Sequence, residues 1–268
     1  NALYLYKTDG TLIKRLTPVT LESNGYSALV VTELYGIDAK GTYAYIQAVP
    51  ATSCDREIYS VDLKTATVKL ISVSDGGVST AKFSKDFTQY IHEYSNNVAP
   101  RLISIEKNDG SLIGTIHSAP NPLAAYNKCE VKLSTITAAD GVTSLWCRTI
   151  LPAGFDSTKK YPSLTYVYNG PNVQLITNSW LGGADLFLYY MAQQGFVIFT
   201  VDGRGSDNRG LDFAQALFRH LGTQEIADQK MGSNYLKSKS WIDAERMAVY
   251  GWSYGGFMTT SMMTRTPG

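Results

Sequence analysis

The stretch Met247-Ala248-Val249-Tyr250-Gly251-Trp252-Ser253-Tyr254-Gly255-Gly256-Phe257-Met258-Thr259-Thr260-Ser261-Met262-Met263 decides how this chain is read. Its first four residues read as an apolar strand, its last seven suit a helix, and a Gly-x-Ser-x-Gly string lies between them. Alone the string is weak, because a chain this rich in glycine supplies one by chance at roughly the ten per cent level. The strand-to-helix setting gives it meaning. A serine on so sharp a turn sits at a strained backbone angle, so its neighbours two residues away must lack side chains. Gly251 and Gly255 meet that demand, and Gly256 is expected to let the helix start pack closely. Ser253 is therefore the candidate nucleophile, and the Tyr254 backbone N–H is the expected first oxyanion donor. The helix N-terminus beneath Ser253 adds a positive field that favours a developing oxyanion. The alternative is a Gly-rich turn without catalysis.

Working outward from this elbow, the residues after about 130 alternate strands with helices. Residues 131–136 and 144–151 read as an antiparallel pair around the Ala139-Asp140-Gly141 turn. Residues 163–168, 196–201 and 247–250 are uninterrupted apolar runs, as suits strands buried on both faces of a parallel sheet. Helical stretches run over 184–194, 211–221 and 222–237, and Asp243-Ala244-Glu245-Arg246 reads as a short turn into the last strand. This alternation predicts α/β structure with right-handed crossovers.

Residues 1 to about 125 have a different period. A strand-turn-strand theme starts at Leu3 (Leu3-Tyr4-Leu5-Tyr6, then Thr8-Asp9-Gly10), at Glu57 with a Lys64-Thr65 turn, and at Arg101 (before Asn108-Asp109-Gly110). Further strand signals at 43–49 and 89–94 precede two of these copies. Spacings of this size fit four-stranded propeller blades; a β-sandwich with irregular strands is the alternative. Three blades cannot close a ring, and the chain opens in mid-strand without a Met. The expected organisation is therefore the C-terminal part of a β-propeller over 1–128, about three blades, followed over 129–268 by the first portion of an α/β-hydrolase domain, truncated after the elbow.

Composition adds exclusions. A net charge of +1 gives no pull toward nucleic acid or an acidic membrane surface. The cysteines Cys54, Cys129 and Cys147 show no CxxC spacing, so at most one disulfide and no metal framework are indicated, and no cofactor is implied. No apolar run approaches the roughly 20 residues a membrane helix needs, and no signal peptide is evident. The 18 tyrosines suit half-buried strands and sites where a ring packs while its hydroxyl meets water or substrate.

A nucleophilic serine needs a base. In the α/β-hydrolase order, an acid and then a His follow the serine, yet the 15 residues after Ser253 contain neither. His92, His117 and His220 all precede it, and His220 reads as a helix C-terminal cap. The triad partners are expected beyond residue 268, and the segment alone is expected to be inactive.

Several motifs now converge. Gly251-Trp252-Ser253-Tyr254-Gly255-Gly256 resembles the elbow of dipeptidyl peptidase IV-type enzymes of the prolyl oligopeptidase family. Val167-Tyr168-Asn169-Gly170-Pro171 resembles the family's Tyr-x-Gly-Pro segment, and Val201-Asp202-Gly203-Arg204-Gly205-Ser206 its Asp-Gly-Arg-Gly stretch. Leu221-Gly222-Thr223-Gln224-Glu225 with Asp228-Gln229 resembles its Leu-Gly-x-x-Glu-x-x-Asp-Gln helix. These matches are ordered and correctly spaced over 160–263; over 1–125 the similarity is diffuse.

The resemblance implies a propeller followed by a hydrolase domain, with the active site in the cavity between them. It gives Tyr168 the role of second oxyanion donor, through its hydroxyl. Trp252 and Tyr254 are expected to line the substrate pocket. Asp202 and Arg204 could hold substrate, but a structural ion pair fixing their loop is favoured, with Asp228 and Glu225 as candidate partners for the arginine. The implied activity is release of N-terminal dipeptides after Pro or Ala from peptide substrates. A prolyl oligopeptidase or acylaminoacyl peptidase is the alternative, since the family's adjacent glutamates that grip the substrate N-terminus are not found here. A noncatalytic propeller-based binding protein is the alternative of another class. A homodimer and an exported location are implied by resemblance only.

Overall fold

The computed structural model describes residues 1–18, 29–50, 52–72 and 76–266, and the chain divides into two compact units. The first comprises Asn1–Pro120 with Thr177–Trp180, and the second Asn121–Ile176 with Leu181–Gly268.

In the first unit, consecutive strands pair antiparallel in small meanders. A hairpin of β1 (Tyr4–Tyr6) and β2 (Leu12–Arg15) is followed by β3 (Val30–Ile37), β4 (Tyr43–Val49), β5 (Glu57–Asp62) and β6 (Val68–Leu70), which form one four-stranded sheet in chain order. Next come β7 (Val78–Phe83), β8 (Gln89–Ser95), β9 (Leu102–Lys107) and β10 (Leu112–Ser118), forming the next such sheet. These are propeller blades, and the sequence theme beginning at Glu57 and Arg101 is the third strand of each. Its turns share one device. Asp9, Asp62 and Asp109 each use a side-chain oxygen to accept N–H groups two residues on, from Thr11 (2.8 Å), Lys64 (2.8 Å) and Ser111 (2.9 Å). That is the Asx-turn chemistry that makes such residues turn formers.

Strand β4 shows why the blades stack. Ala44, Ile46 and Ala48 pack with Leu16, Leu29 and Val61 on one face. Tyr45 points the other way, into a cluster with Ile58, Ile71 and Tyr90, its ring centroid 4.6 Å from that of Phe83. A strand apolar on both faces needs a neighbour on each.

The second unit holds a five-stranded sheet in the order β11 (Glu130–Thr137), β12 (Ser144–Leu151), β14 (Val197–Val201), β13 (Tyr161–Tyr166) and β15 (Ile242–Tyr250). β11, β12 and β14 pair antiparallel; β14, β13 and β15 pair parallel. β14 is buried along its whole length, as its unbroken apolar run requires. Val197, Phe199 and Val201 pack with Leu236 of α3 (Gln224–Lys237), where Gly232 lets the helix approach; a Cβ there would lie 2.9 Å from Val201. Helix α1 (Leu186–Gln193) precedes β14, and Asp185 caps it by accepting the Leu188 N–H (2.8 Å).

Two expectations need correction. The helix expected over 211–221 is α2 (Leu211–Ala214) plus a 3-10 turn at Gln215–Leu217, and Arg219 then takes φ 63°. The Phe213 carbonyl is engaged by the Gly205 N–H (2.8 Å), and Leu217 is buried against Gly205, so tertiary contacts cut the helix short. His220 consequently caps no long helix; it is exposed in the following turn. Residues 243–246, read as a turn, lie inside β15. Ile242 pairs with Tyr161 and Met247 with Ser163, so the residues between them bulge away from β13. Their polarity suits residues that leave the ladder: Ala244, Glu245 and Arg246 are exposed.

Candidate active site

β15 delivers the chain to Ser253, and α4 (Tyr254–Arg265) carries it away. Ser253 lies at φ 55°, ψ −123°, a conformation costing an L-residue of order 1–3 kcal/mol that persists only where its surroundings fix it. The fixing elements are visible. The Val167 N–H donates to the Tyr250 carbonyl (2.9 Å), holding the end of β13 against the elbow. A Cβ on Gly251 would strike the carbonyls of Val167 and Gly255, and one on Gly255 would strike the Val167 carbonyl. Both glycines are therefore obligatory. Gly256 is not: a Cβ there would meet only the Gly251 carbonyl, at 3.8 Å, so the close packing expected of it is absent.

Ser253 is exposed, and its carbonyl accepts the N–H groups of Gly256 (2.9 Å) and Phe257 (3.2 Å). The Tyr254 N–H is the first of α4 and by position has no intrahelical acceptor. Trp252 is 65% exposed. Tyr168 follows β13; its ring centroid is 6.4 Å from Trp252 and 6.3 Å from Tyr254. Gly170 lets it fold back: a Cβ there would collide with the Tyr168 ring (2.6 Å) and crowd Tyr254 (3.3 Å). The structure thus brings Ser253, Tyr254, Trp252 and Tyr168 together.

Buried polar groups hold the loops around this cluster. Asn169, at φ 51°, accepts the Gly203 N–H (2.9 Å) and the Gln229 Nε2 (2.8 Å), and donates to the Arg204 carbonyl (3.2 Å). Arg204 meets Asp228 in a two-pronged pair (2.9 and 2.8 Å) and reaches Asp140 (2.8 Å). Asp228 also accepts the N–H groups of Ala139 and Arg204 (both 3.0 Å), so the pair fixes this loop. Asp202 is not part of it. Its carboxylate accepts from the Leu175 and Ile176 N–H groups (3.0 and 2.9 Å), while burial pushes its pKa up to about 6. Arg148, wholly buried and lowered to about 10 by that burial, donates to the carbonyls of Gly182 (2.8 Å) and Leu175 (3.1 Å).

Glu225, expected as a partner of Arg204, is instead bonded to the elbow. It is fully buried and accepts the Tyr254 hydroxyl (2.6 Å) and the N–H groups of Gly222 (2.5 Å) and Thr223 (3.1 Å). Burial and the neighbouring carboxylate push the Tyr254 pKa well above its ordinary value, keeping the hydroxyl a donor. Asn169 stands at the unspecified position of the Tyr-x-Gly-Pro segment, so nothing in that pattern marks it as the side chain tying these loops.

No base meets Ser253 among the described residues. His92 is buried in β8 with Nδ1 2.8 Å from Glu106, which also accepts the hydroxyls of Tyr90 (2.6 Å) and Ser104 (2.8 Å). His117 and His220 are exposed, on β10 and in the turn before α3. No group of His, Cys, Asp and Glu among the described residues could hold a metal ion.

Comparison with known proteins places both units. Residues 184–268 match the profile of the prolyl oligopeptidase family, and residues 1–101 that of the dipeptidyl peptidase IV N-terminal region. A probable dipeptidyl-aminopeptidase B of Trichophyton verrucosum is 31% identical over 89% of this chain and 27% of its own length. Dipeptidyl peptidase 4 of Trichophyton equinum is 29% identical over 99% of this chain and 34% of its own. Among solved structures, a putative dipeptidyl aminopeptidase IV from Bacteroides ovatus superposes with a TM-score of 0.86 at 33% identity, over all of this chain and 38% of that one. Porphyromonas gingivalis dipeptidyl peptidase 4 gives 0.87 at 28%, over 98% and 36%. The chain thus spans between about a quarter and two-fifths of the length of these relatives.

Proposed function

Because the chain belongs with the dipeptidyl peptidase IV-type peptidases of the prolyl oligopeptidase family, we propose that the intact protein is a serine exopeptidase releasing N-terminal dipeptides, preferentially after Pro or Ala. The observation carrying this reading is Ser253, held at φ 55° on a strand-to-helix elbow whose flanking rings, Trp252 and Tyr254, lie 6.4 and 6.3 Å from the Tyr168 ring.

In the proposed reaction the Ser253 Oγ bonds to the scissile carbonyl carbon, the C=O π pair moves to oxygen, and the hydroxyl proton passes to a general base. The Tyr254 N–H and the Tyr168 hydroxyl donate to the oxyanion, one fixed by the helix start and the other by the Gly170 turn. Collapse breaks the C–N bond, the departing amine takes the proton, and water then releases the dipeptide from Ser253. Trp252 and Tyr254 line the entry to the serine.

A fluorophosphonate probe is expected to label the intact protein, and Ser253→Ala to abolish both labelling and hydrolysis. Persistent hydrolysis in that variant overturns the assignment. Tyr168→Phe is expected to lower turnover of a Gly-Pro substrate roughly 10- to 1000-fold, the range for one oxyanion donor. Cleavage of an N-acetylated substrate as fast as the free one would exclude the exopeptidase specificity. Residues 1–268 expressed alone are expected to be inactive, because no described histidine meets Ser253.

A further inference from the structure

The elbow is fastened to the start of α3 at several points. Arg265, at the far end of α4, donates to the Gly222 carbonyl (2.6 Å). Phe257 packs over Gly222, which at φ 79° leaves it room; a Cβ there would lie 2.9 Å from the ring. The third tie is the Tyr254 hydroxyl on Glu225. Tyr254 is also the residue whose N–H faces the proposed oxyanion, and its ring lies against Gly170 and the Tyr168 ring. Tyr254 therefore carries one oxyanion donor on its own backbone and lies against the ring of the other, and its hydroxyl is anchored on Glu225 beside the Gly222 amide.

We propose that Glu225 is a positioning residue for acyl transfer: through the Tyr254 hydroxyl it sets the Tyr254 N–H and the Tyr168 phenol in the fixed relation that a tetrahedral oxyanion requires. This rests on Ser253 being the nucleophile. A carboxylate suits the task because it accepts only, so it can hold the Gly222 and Thr223 N–H groups and the phenol at once. Three donors on one buried acceptor leave it no freedom to rotate. Oxyanion donors gain their effect by being preorganised, and small displacements of catalytic groups are costly.

The test uses the intact protein, with active sites counted by fluorophosphonate titration. Tyr254→Phe removes the hydroxyl and leaves the ring; Glu225→Gln weakens the acceptor. Both variants are expected to lose about 10-fold in kcat per titrated site with KM little changed, and to lose affinity for a peptide boronate, which forms the tetrahedral adduct, by a similar factor. The double variant is expected to lose no more than the worse single one. A merely structural tie would lower the number of titratable sites and leave kcat per site intact, and that result overturns the proposal. So do losses that multiply. If Glu225→Gln fails to fold, Tyr254→Phe decides alone. Ser253→Ala run in parallel separates the two claims: activity surviving there removes the nucleophile, whereas inactivity there with a normal Tyr254→Phe removes only the role of Glu225.

Discussion

Glu106 in the second blade and Glu225 in the hydrolase unit are both buried, and each accepts a tyrosine hydroxyl at 2.6 Å. The similarity ends with their other partners. Glu106 is surrounded by side chains of its own sheet, Tyr90 and His92 on β8 and Ser104 on β9, and it closes a polar network inside the blade. Glu225 takes two backbone N–H groups at a helix start, and its tyrosine is the residue after the proposed nucleophile. The same pair of groups braces a sheet in one place and orients an elbow in the other. What separates bracing from positioning is the backbone each tyrosine belongs to.

The sharpest way to break this contrast is Glu106→Ala. It strands His92 and two hydroxyls in a buried site and is expected to cost about 3–5 kcal/mol in urea unfolding. The variant is expected to keep wild-type kcat per titrated site. Altered turnover at full occupancy would show that the blade network reaches the site after all.

A third carboxylate sharpens the comparison through its sign. Burial raises Asp202 to about 6 from an ordinary 3.8, so its stabilising contribution is full below 3.8 and is lost as pH rises through 6. Across that window the change is at most about 3 kcal/mol, and Asp202→Asn is expected to flatten it. Glu106 runs the other way. Burial pushes it up, but the hydrogen bonds from His92 and Tyr90 outweigh that and hold it below its ordinary value. Its contribution is present at neutral pH and is lost as pH falls through the folded-state value, so Glu106→Gln is expected to weaken the acid dependence. Urea midpoints measured between pH 3 and 7 check both; parallel slopes in the two variants would contradict the assignment.

The smallest effect is Tyr90→Phe. Loss of one hydroxyl from a charged acceptor is expected to cost about 1–2 kcal/mol of stability, with kcat per site unchanged. Set beside Tyr254→Phe, it asks directly whether equal chemistry at two positions gives stability in one and rate in the other.

What could be read from the sequence was local. The Asp9 and Asp109 turns, the apolar run Val197–Val201 and the elbow glycines each carry their reason within a few residues. The pairing of Arg204 with Asp228 was legible in part, because the motif helix that follows the Arg204 loop offers Glu225 and Asp228 as its acids, and the structure takes Asp228. What failed depends on contacts across the fold. Nothing near residue 213 announces that its carbonyl will be taken by Gly205, and nothing near residue 225 says that its partner is a tyrosine 29 positions on. Residues 243–246 misled because a strand bulge and a turn have the same polarity.

The hold on Asn169 has a chemical consequence. An Asn-Gly pair in an unfolded chain cyclises readily to a succinimide, because the glycine amide can swing unhindered onto the side-chain carbon. In Asn169-Gly170 that side chain is buried and pinned by three hydrogen bonds, to Gly203, Arg204 and Gln229. The fold therefore stops a clock that the sequence would otherwise run. An aspartate or isoaspartate found at position 169 in an aged sample would record the time its loop had spent open.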